Sequence, residues 1–315
     1  MRSLLAFVAL AATLPHFAAG QMNSFTREQM LKYTAQNPFD RFPDGRPKVP
    51  DELLDKIKAM SAEEVLGIVR KGYANQYADG FRILMPPGKE AMVGRAMTVQ
   101  LMPLRPDIAD VDQKEWAEKN PQAVKIGLRL SHQTALDMLQ KRDVFVVDAF
   151  GNSAAGGIVG DNLAYFVWKR TGVGFVIDGA IRDLQGIANF GMYGYYRDAV
   201  PPAINNVMVT GINVPVRIGK ATVMPGDVVL GDREGVYFIP PHLVEEIVDT
   251  AEITHIHDEW TKKKFDEDKY KSSDIYGSPK DPALIKEYED YLKARLSPAK
   301  YEAYKKRQQP QRRPR

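Results

Sequence analysis

Gly156-Gly157-Ile158-Val159-Gly160-Asp161-Asn162-Leu163-Ala164-Tyr165-Phe166-Val167-Trp168-Lys169-Arg170-Thr171-Gly172-Val173-Gly174-Phe175-Val176-Ile177-Asp178-Gly179-Ala180-Ile181-Arg182-Asp183 is the stretch on which the fold turns. The glycine-rich turn from Gly156 to Gly160 leads into a helix with Leu163, Phe166 and Val167 on one face. Gly172 and Gly174 close that helix, and Phe175, Val176 and Ile177 read as a short buried strand. Both ends of the unit carry chemistry. The turn presents free backbone N–H groups at a helix N-terminus, which suits an anion. Beyond the strand, Arg182 can fork onto a carboxylate while Asp183 offers oxygens to a hard cation. Together the two loops predict a site for a small oxo acid.

Outward from this unit the pattern repeats. Asp143-Val144-Phe145-Val146-Val147-Asp148 is a short apolar strand aimed at the glycine turn, and Ala135, Leu136 and Leu139 before it sit at helical spacing. Residues 91–103 carry strand propensity, with Gly94 marking a close backbone approach. Asp107 to Pro121, charged and bounded by prolines, reads as an insertion loop with a short helix. Downstream, strands are expected over 213–216, on both sides of Pro225-Gly226-Asp227 and over 235–240; Leu243, Val244, Ile247, Val248 and Ala251 then form the buried stripe of a helix. Many short strands with few helices predict a compact, β-rich α/β sandwich rather than a doubly wound sheet.

Asp161, twenty intervening residues and then Arg182-Asp183 resemble the D-x20-R-D signature of the class II pyruvate aldolases. These enzymes act on 4-hydroxy-4-methyl-2-oxoglutarate and 4-carboxy-4-hydroxy-2-oxoadipate, within the RraA-like family named after regulator of ribonuclease activity A. The resemblance extends to Gly94-Arg95-Ala96-Met97-Thr98-Val99, Val146-Val147-Asp148, Gly211-Ile212-Asn213-Val214-Pro215-Val216, Pro225-Gly226-Asp227 and Gly231-Asp232-Arg233-Glu234-Gly235-Val236. Each motif is short, but they fall in family order over residues 82–245. The resemblance implies an α/β/β/α sandwich of the swivelling-domain type, assembled as a homotrimer or a dimer of trimers.

It also implies roles. Asp183 would hold Mg2+ or Mn2+ largely through water, Arg182 would contact the 2-oxo acid and stabilise the enolate, and Asp161 would orient a water that carries the proton. The amides around Gly160, Asn162 and Leu163 would hold the substrate carboxylate. Both acids have plainer uses, Asp183 capping a helix from Leu184 and Asp161 capping the helix after the turn. One position departs from the pattern. Some members carry an acid three residues after the Arg-Asp pair, where this chain has Gly186. Glu252 and Glu259 are alternative donors of that acid, as is a neighbouring subunit. The reaction implied is metal-dependent retro-aldol cleavage or decarboxylation of a 2-oxo acid. A related lyase or dehydratase acting on a sugar-derived acid, and a non-catalytic binding protein, are the alternatives.

The termini address a compartment. Met1-Arg2-Ser3, an apolar run from Leu4 to Ala19 and Ala18-Ala19-Gly20 read as a secretory signal peptide, which predicts a periplasmic or secreted protein with no membrane span after cleavage. Absence of cysteine leaves the chain indifferent to an oxidising compartment and excludes a thiol nucleophile. The formal net charge of +3 is too small for a protein that coats nucleic acid. No P-loop or Gly-x-Ser-x-Gly elbow is present. His255 and His257, two apart, fall on different faces of a helix, and His132 and His242 read as isolated, satisfied histidines. The expected organisation is a signal over 1–20, a helical lead over 21–80 that packs on the core or a neighbouring subunit, a catalytic core over 81–262, and a polar helical extension over 263–315 whose basic tail begins at Lys305.

Overall fold

The computed structural model describes residues 24–308 apart from 71, 90 and 278, so the expected signal and the last residues of the basic tail lie outside it. The chain opens with three short helices, α1 (Arg27–Tyr33), α2 (Asp51–Lys58) and α3 (Ala62–Val69). Capping boxes start two of them: Thr26 with Gln29 for α1, and Ser61 with Glu64 for α3, as the spacing predicts. Strands β1 (Tyr77–Ala78), β2 (Arg82–Leu84) and β3 (Met92–Pro103) follow, then α4 (Pro106–Lys119), α5 (Pro121–Lys125) and α6 (His132–Asp137). Next come β4 (Asp143–Asp148), α7 (Asp161–Thr171), β5 (Gly174–Ile181), α8 (Leu184–Ala188), β6 (Tyr193–Ala199) and β7 (Val207–Ile212). A ribbon of β8 (Val216–Ile218) and β9 (Ala221–Val223) precedes β10 (Val228–Gly231) and β11 (Val236–Ile239). The chain ends in helices α9 (Val244–Asp266), α10 (Ser272–Ile275), α11 (Pro282–Arg295) and α12 (Pro298–Gln308).

Among the described residues the main sheet has nine strands in the order β1-β11-β10-β3-β4-β5-β6-β2, with β7 joined to β3. Strands β3 to β6 run parallel and the rest pair antiparallel. Alternation along β4 shows how the layers arise. Phe145 and Val147 face one core, packed with Val167 of α7 and Leu136 of α6, while Val144 and Val146 face another with the β8–β9 ribbon and Phe238 of β11. The opposite faces of β10 and β11, at Val228, Leu230, Tyr237 and Ile239, pack on Leu54, Ile57, Val65 and Ile247 from α2, α3 and α9. Helices, sheet, curled sheet and helices therefore stack as an α/β/β/α sandwich. A further small core joins Ile256 and Trp260 of α9 to Leu284, Tyr288 and Leu292 of α11, so the C-terminal extension is helical and packed.

The helical lead is bolted to the sheet. Arg46 reaches the first residue of β4, with Nη1 and Nη2 donating to Asp143 at 2.9 and 2.8 Å, and its guanidinium lies over Phe42. Arg95 Nε donates to the Val49 carbonyl at 2.7 Å, and its far nitrogen pairs with Asp51 at the start of α2. Gly94 lets β3 approach the chain entering β4, since a Cβ there would lie 2.5 Å from the Arg142 carbonyl oxygen.

Four local expectations fail. Phe166 is exposed, because Ala164, Val167 and Thr171 supply the buried face of α7. The segment from Asp107, expected as a loop with a short helix, is mostly a 14-residue helix, started by Pro106 at its first position and anchored by buried Asp112 and Trp116. Residues 213–215 are not strand: buried Asn213 takes a left-handed φ of 52° and turns the chain ahead of β8. Lys305 to Gln308, read as the start of a loose tail, belong to α12.

Candidate active site over the ends of β4 and β5

Both loops of the candidate site lie at the carboxyl ends of adjacent parallel strands, where open α/β sheets expose their ligand sites. The glycine turn is less open than its composition suggests. The Gly157 amide donates to Pro202 and the Ile158 amide to Ala180, at 2.8 and 2.9 Å, while Val159 accepts from the Arg182 amide at 2.9 Å. Ile158 and Val159 are buried, and the amides of Gly157 and Ile158 are taken up by the neighbouring chain rather than left for an anion. Gly156 is required at the bend: its φ is 75°, and a Cβ there would collide with the Ala203 carbonyl. What remains for an anion is the first turn of α7, whose N–H groups have no carbonyl one turn behind them. There Gly160 is the N-cap, not Asp161, and Asp161 Oδ1 accepts from the Asn162 amide at 2.8 Å. Of the three residues expected to hold a substrate carboxylate, Gly160, Asn162 and Leu163, the second is therefore already engaged within the chain.

Asp183 sits at the N-cap of α8, yet its side chain makes no capping hydrogen bond. Its backbone is left-handed, at φ 57° and ψ 38°, a conformation that costs a non-glycine residue energy. The carboxylate instead stands 2.9 Å from Arg182 Nη1, with the two side chains 38% and 35% exposed. Gly160 packs against this pair: a Cβ there would collide with Asp183 Oδ2 and lie 3.0 Å from Arg182 Nε. Asp161 arrives from the other side. A Cβ at Gly186 would lie 3.0 Å from its Cβ and 3.2 Å from its Oδ2. A side chain at position 186 would therefore press on Asp161, which would have to give by a few tenths of an ångström to admit it. Gly160, Asp161, Arg182 and Asp183 converge; Asn162 and Leu163 lie on the adjoining turn.

These residues suit a hard cation that keeps much of its water, for which one or two carboxylates suffice. They do not make a cage: the described residues contain no group of three or more His, Cys, Asp or Glu able to hold a metal. Glu252 and Glu259 are committed elsewhere in the chain, to Lys300 and to Arg295, the latter at 3.4 Å. His257 bonds the Gly277 carbonyl at 2.7 Å and His242 lies 3.3 Å from the Tyr73 hydroxyl. His132 departs from expectation, since its buried Nε2 has no partner.

Other charged groups near the strand ends serve the fold, and their spacing in sequence gave no sign of it. Asp178 receives Arg197 Nε at 2.6 Å and the Gly219 amide at 2.8 Å. Asp148, its neighbour across β4 and β5, receives the amides of Phe150 and Arg217 at 2.9 and 3.3 Å. These two acids pin the β8–β9 ribbon to the sheet, and burial raises the Asp148 carboxyl above the usual range.

A curled mixed sheet between helical layers, with a paired Arg and Asp over the parallel strand ends, defines the class of the molecule as an α/β/β/α sandwich. A family model described as RraA-like, Aldolase/RraA, matches residues 53–238, and the chain belongs to that family. A Halalkalibacterium halodurans protein, named provisionally as a 4-hydroxy-4-methyl-2-oxoglutarate aldolase, is 34% identical over 118 residues, covering 37% of this chain and 55% of the relative. A Thermus thermophilus protein named 4-hydroxy-4-methyl-2-oxoglutarate aldolase is 28% identical over 97 residues, covering 31% and 58%. The chain thus spans little more than half the length of these curated relatives. Among solved structures, Streptomyces coelicolor RraAS2, described as an unusual member of the RNase ES inhibitor RraA protein family, is 27% identical. It covers 71% of this chain and 99% of its own, with a TM-score of 0.56.

Proposed function

We propose that this protein is a divalent-metal-dependent lyase that cleaves a 2-oxo acid by retro-aldol reaction or decarboxylation. One observation carries the reading: Asp183 holds a strained N-cap conformation without capping, and its carboxylate stands beside the Arg182 fork instead. Fold needs do not explain that arrangement. Family membership and the aldolase names of the relatives support the same class of chemistry.

Mg2+ or Mn2+ held by Asp183, mostly through water, would supply Lewis acidity toward the keto oxygen. Arg182 keeps part of its guanidinium exposed, enough to bind the oxo acid and to offset the negative charge that grows as the carbon–carbon bond breaks. The amides of the N-cap Gly160 and of Leu163 in the first turn of α7 would receive the substrate carboxylate, and Asn162 would join them when Asp161 releases its amide. Asp161, so released, is free to take the proton of a 4-hydroxyl during retro-aldol cleavage, directly or through a water. In decarboxylation no hydroxyl proton is lost, and Asp161 instead positions the water that returns a proton to carbon.

On the single chain this site is an open shelf, and our reading places a neighbouring subunit of a homotrimer or dimer of trimers as its outer wall. The leader over 1–20 motivates a periplasmic or secreted location; among the described residues no helix is long and apolar enough to cross a membrane. The test is direct. Purified protein is assayed with oxaloacetate and with 4-hydroxy-2-oxo acids, under Mg2+ or Mn2+ and then under chelator. Turnover that chelator abolishes supports the lyase; no turnover of any oxo acid with either metal removes it. The competing binding-protein reading rests on the inhibitor family named for RraAS2, and a stoichiometric protein complex left intact by Asp183→Ala would favour it.

A further inference from the structure

Glycines surround the candidate site, and they are there for different reasons. Gly156 needs its left-handed backbone, at φ 75°. At Gly157 a Cβ would lie 2.7 Å from the Arg182 amide nitrogen and 2.8 Å from the Ile181 carbonyl carbon, so only backbone movement could admit one. Gly160 meets neither condition. Its φ of −104° and ψ of −172° are extended backbone open to any residue. The three atoms nearest to a Cβ there all belong to the side chains of the Arg182–Asp183 pair: it would collide with Asp183 Oδ2 and lie 3.0 and 3.1 Å from Nε and Cζ of Arg182.

Helix energetics do not ask for glycine at this position either. Gly160 is the N-cap of α7, where Ser, Asp or Asn would accept a hydrogen bond from the first turn, and no side chain caps that helix. Gly186 is its counterpart on the other segment. It lies in the middle of α8, where alanine is the better helix former, and its φ is not left-handed. A Cβ at Gly186 would lie 3.0 Å from Asp161 Cβ, close enough that Asp161 must give way slightly. Each acid of the candidate site therefore stands against a glycine of the other acid's segment, Asp183 against Gly160 and Asp161 against Gly186.

We propose that Gly160 is a positioning residue, whose bare Cα sets where the Arg182–Asp183 pair stands over the first turn of α7, and that Gly186 does the same, more weakly, for Asp161. The role rests on the lyase reading, in which Asp183 holds the metal and Asp161 handles the proton. The atom that a Cβ at Gly160 would strike is the tip of a flexible side chain, so the fold can admit the Cβ while the pair cannot keep its place. An ordinary contact is restored only when the carboxylate oxygen moves by about 1 Å.

The experiment compares Gly160→Ser, Gly160→Ala and Gly186→Ala with the unaltered full-length protein by Mn2+ titration, turnover, melting in chelator and crystal structures. Gly160→Ser is the decisive variant, since it adds a Cβ together with a hydroxyl able to cap α7. It should melt no lower than the unaltered protein, yet bind Mn2+ roughly ten- to a hundredfold more weakly, as when a metal ligand loses the group that orients it. Gly160→Ala should weaken Mn2+ binding to a similar extent. Gly186→Ala should melt no lower, leave Mn2+ binding unchanged and lower turnover by up to about tenfold; unchanged turnover removes Gly186 from the proposal. In crystals of Gly160→Ser, Asp183 Oδ2 should be displaced by about 1 Å. An Asp183 carboxylate left in place, or unchanged Mn2+ affinity in both Gly160 variants, overturns the proposal. So does melting of Gly160→Ser several degrees below the unaltered protein, which would mark Gly160 as serving the fold. If the unaltered protein neither binds Mn2+ nor turns over any oxo acid, the lyase reading falls, and the crystal position of Asp183 alone decides whether Gly160 positions the pair.

Discussion

Two arginine–aspartate pairs use the same groups for opposite ends. Arg46 and Asp143 are 97 positions apart, 1% and 0% exposed, and joined by two parallel hydrogen bonds. Arg182 and Asp183 are adjacent, about one-third exposed, and joined by a single contact of 2.9 Å. The first pair gives up its water to fasten the helical lead to β4. Burial raises the Asp143 carboxyl even against the pull of Arg46, so the pair depends on its full set of partners. The second keeps its water, holds its acid in a strained backbone and leaves donors and acceptors free for a ligand. Desolvation separates the pairs, and it decides which serves the fold and which can serve chemistry.

The largest expected effect breaks the buried pair. Asp143→Ala leaves Arg46 charged and unmatched inside the protein, and should cost about 3–5 kcal/mol of stability, read as a fall in the urea midpoint. Arg46→Met combined with Asp143→Leu replaces both charges at once and should recover much of that loss. A double variant as unstable as Asp143→Ala would show that geometry specific to the ion pair, rather than uncompensated charge, holds the seam.

At the exposed pair the same kind of change should leave stability within about 0.5 kcal/mol. Asp183→Asn should instead lower metal affinity and turnover together, and Arg182→Lys should lower turnover roughly 10²–10³-fold with metal binding nearly intact. Circular dichroism and oligomer size should be unchanged in both. If Asp183→Asn turns over substrate at the original rate, Asp183 does not hold the metal; if it unfolds the protein, the two pairs are not different in kind.

This contrast was only half legible in the sequence. Arg182 and Asp183 stand next to each other behind an apolar strand, within a spacing that also contains Asp161, so local reading and family resemblance both found them. Nothing local links Arg46 to Asp143, because their meeting depends on how the lead folds back on the sheet. The strands themselves were readable from β-branched runs such as 143–148, where each residue is buried whichever face it takes. The extent of helix α4 was missed, a loop with a short helix being expected, because its polar composition hides the buried Asp112, a position that periodicity assigns to solvent. The glycine turn was misread in part: composition shows that its amides are accessible to a partner, not that Pro202 and Ala180 have already claimed those of Gly157 and Ile158.

Asp227 supplies the intermediate case, an acid as buried as Asp143 but with no arginine. Its Oδ2 accepts from the Met224 amide at 2.8 Å, and burial lifts its carboxyl to about 7. In the unfolded chain the same group titrates at about 4. Between those values the unfolded state releases its proton while the folded state keeps it, so this contribution to stability is full below about pH 4 and is lost as pH rises toward about 7. Asp227→Asn should remove that loss. The stability difference between variant and unaltered protein should then grow in the variant's favour by on the order of 3 kcal/mol from about pH 4.5 to about pH 7.5, measured by urea denaturation. A difference independent of pH would mean that Asp227 ionises normally despite its burial.

The smallest effect bears most directly on why Asp183 is there. At φ 57° an aspartate is strained by its Cβ, though less than a branched residue would be, whereas glycine adopts the same backbone freely. Glycine also loses more entropy on folding, which offsets part of the relief. Since the Asp183 side chain caps nothing, no hydrogen bond to α8 is lost in exchange. Asp183→Gly should therefore gain about 0.5 kcal/mol, a rise of roughly 1–2 °C in melting temperature when measured in chelator, while eliminating turnover. The corresponding change at Asp143 should do the reverse and unfold the seam. A protein that folds better without an acid retains that acid for something other than folding. If Asp183→Gly melts several degrees lower in chelator, its contact with Arg182 is structural, and the distinction between the two pairs collapses into one of exposure alone.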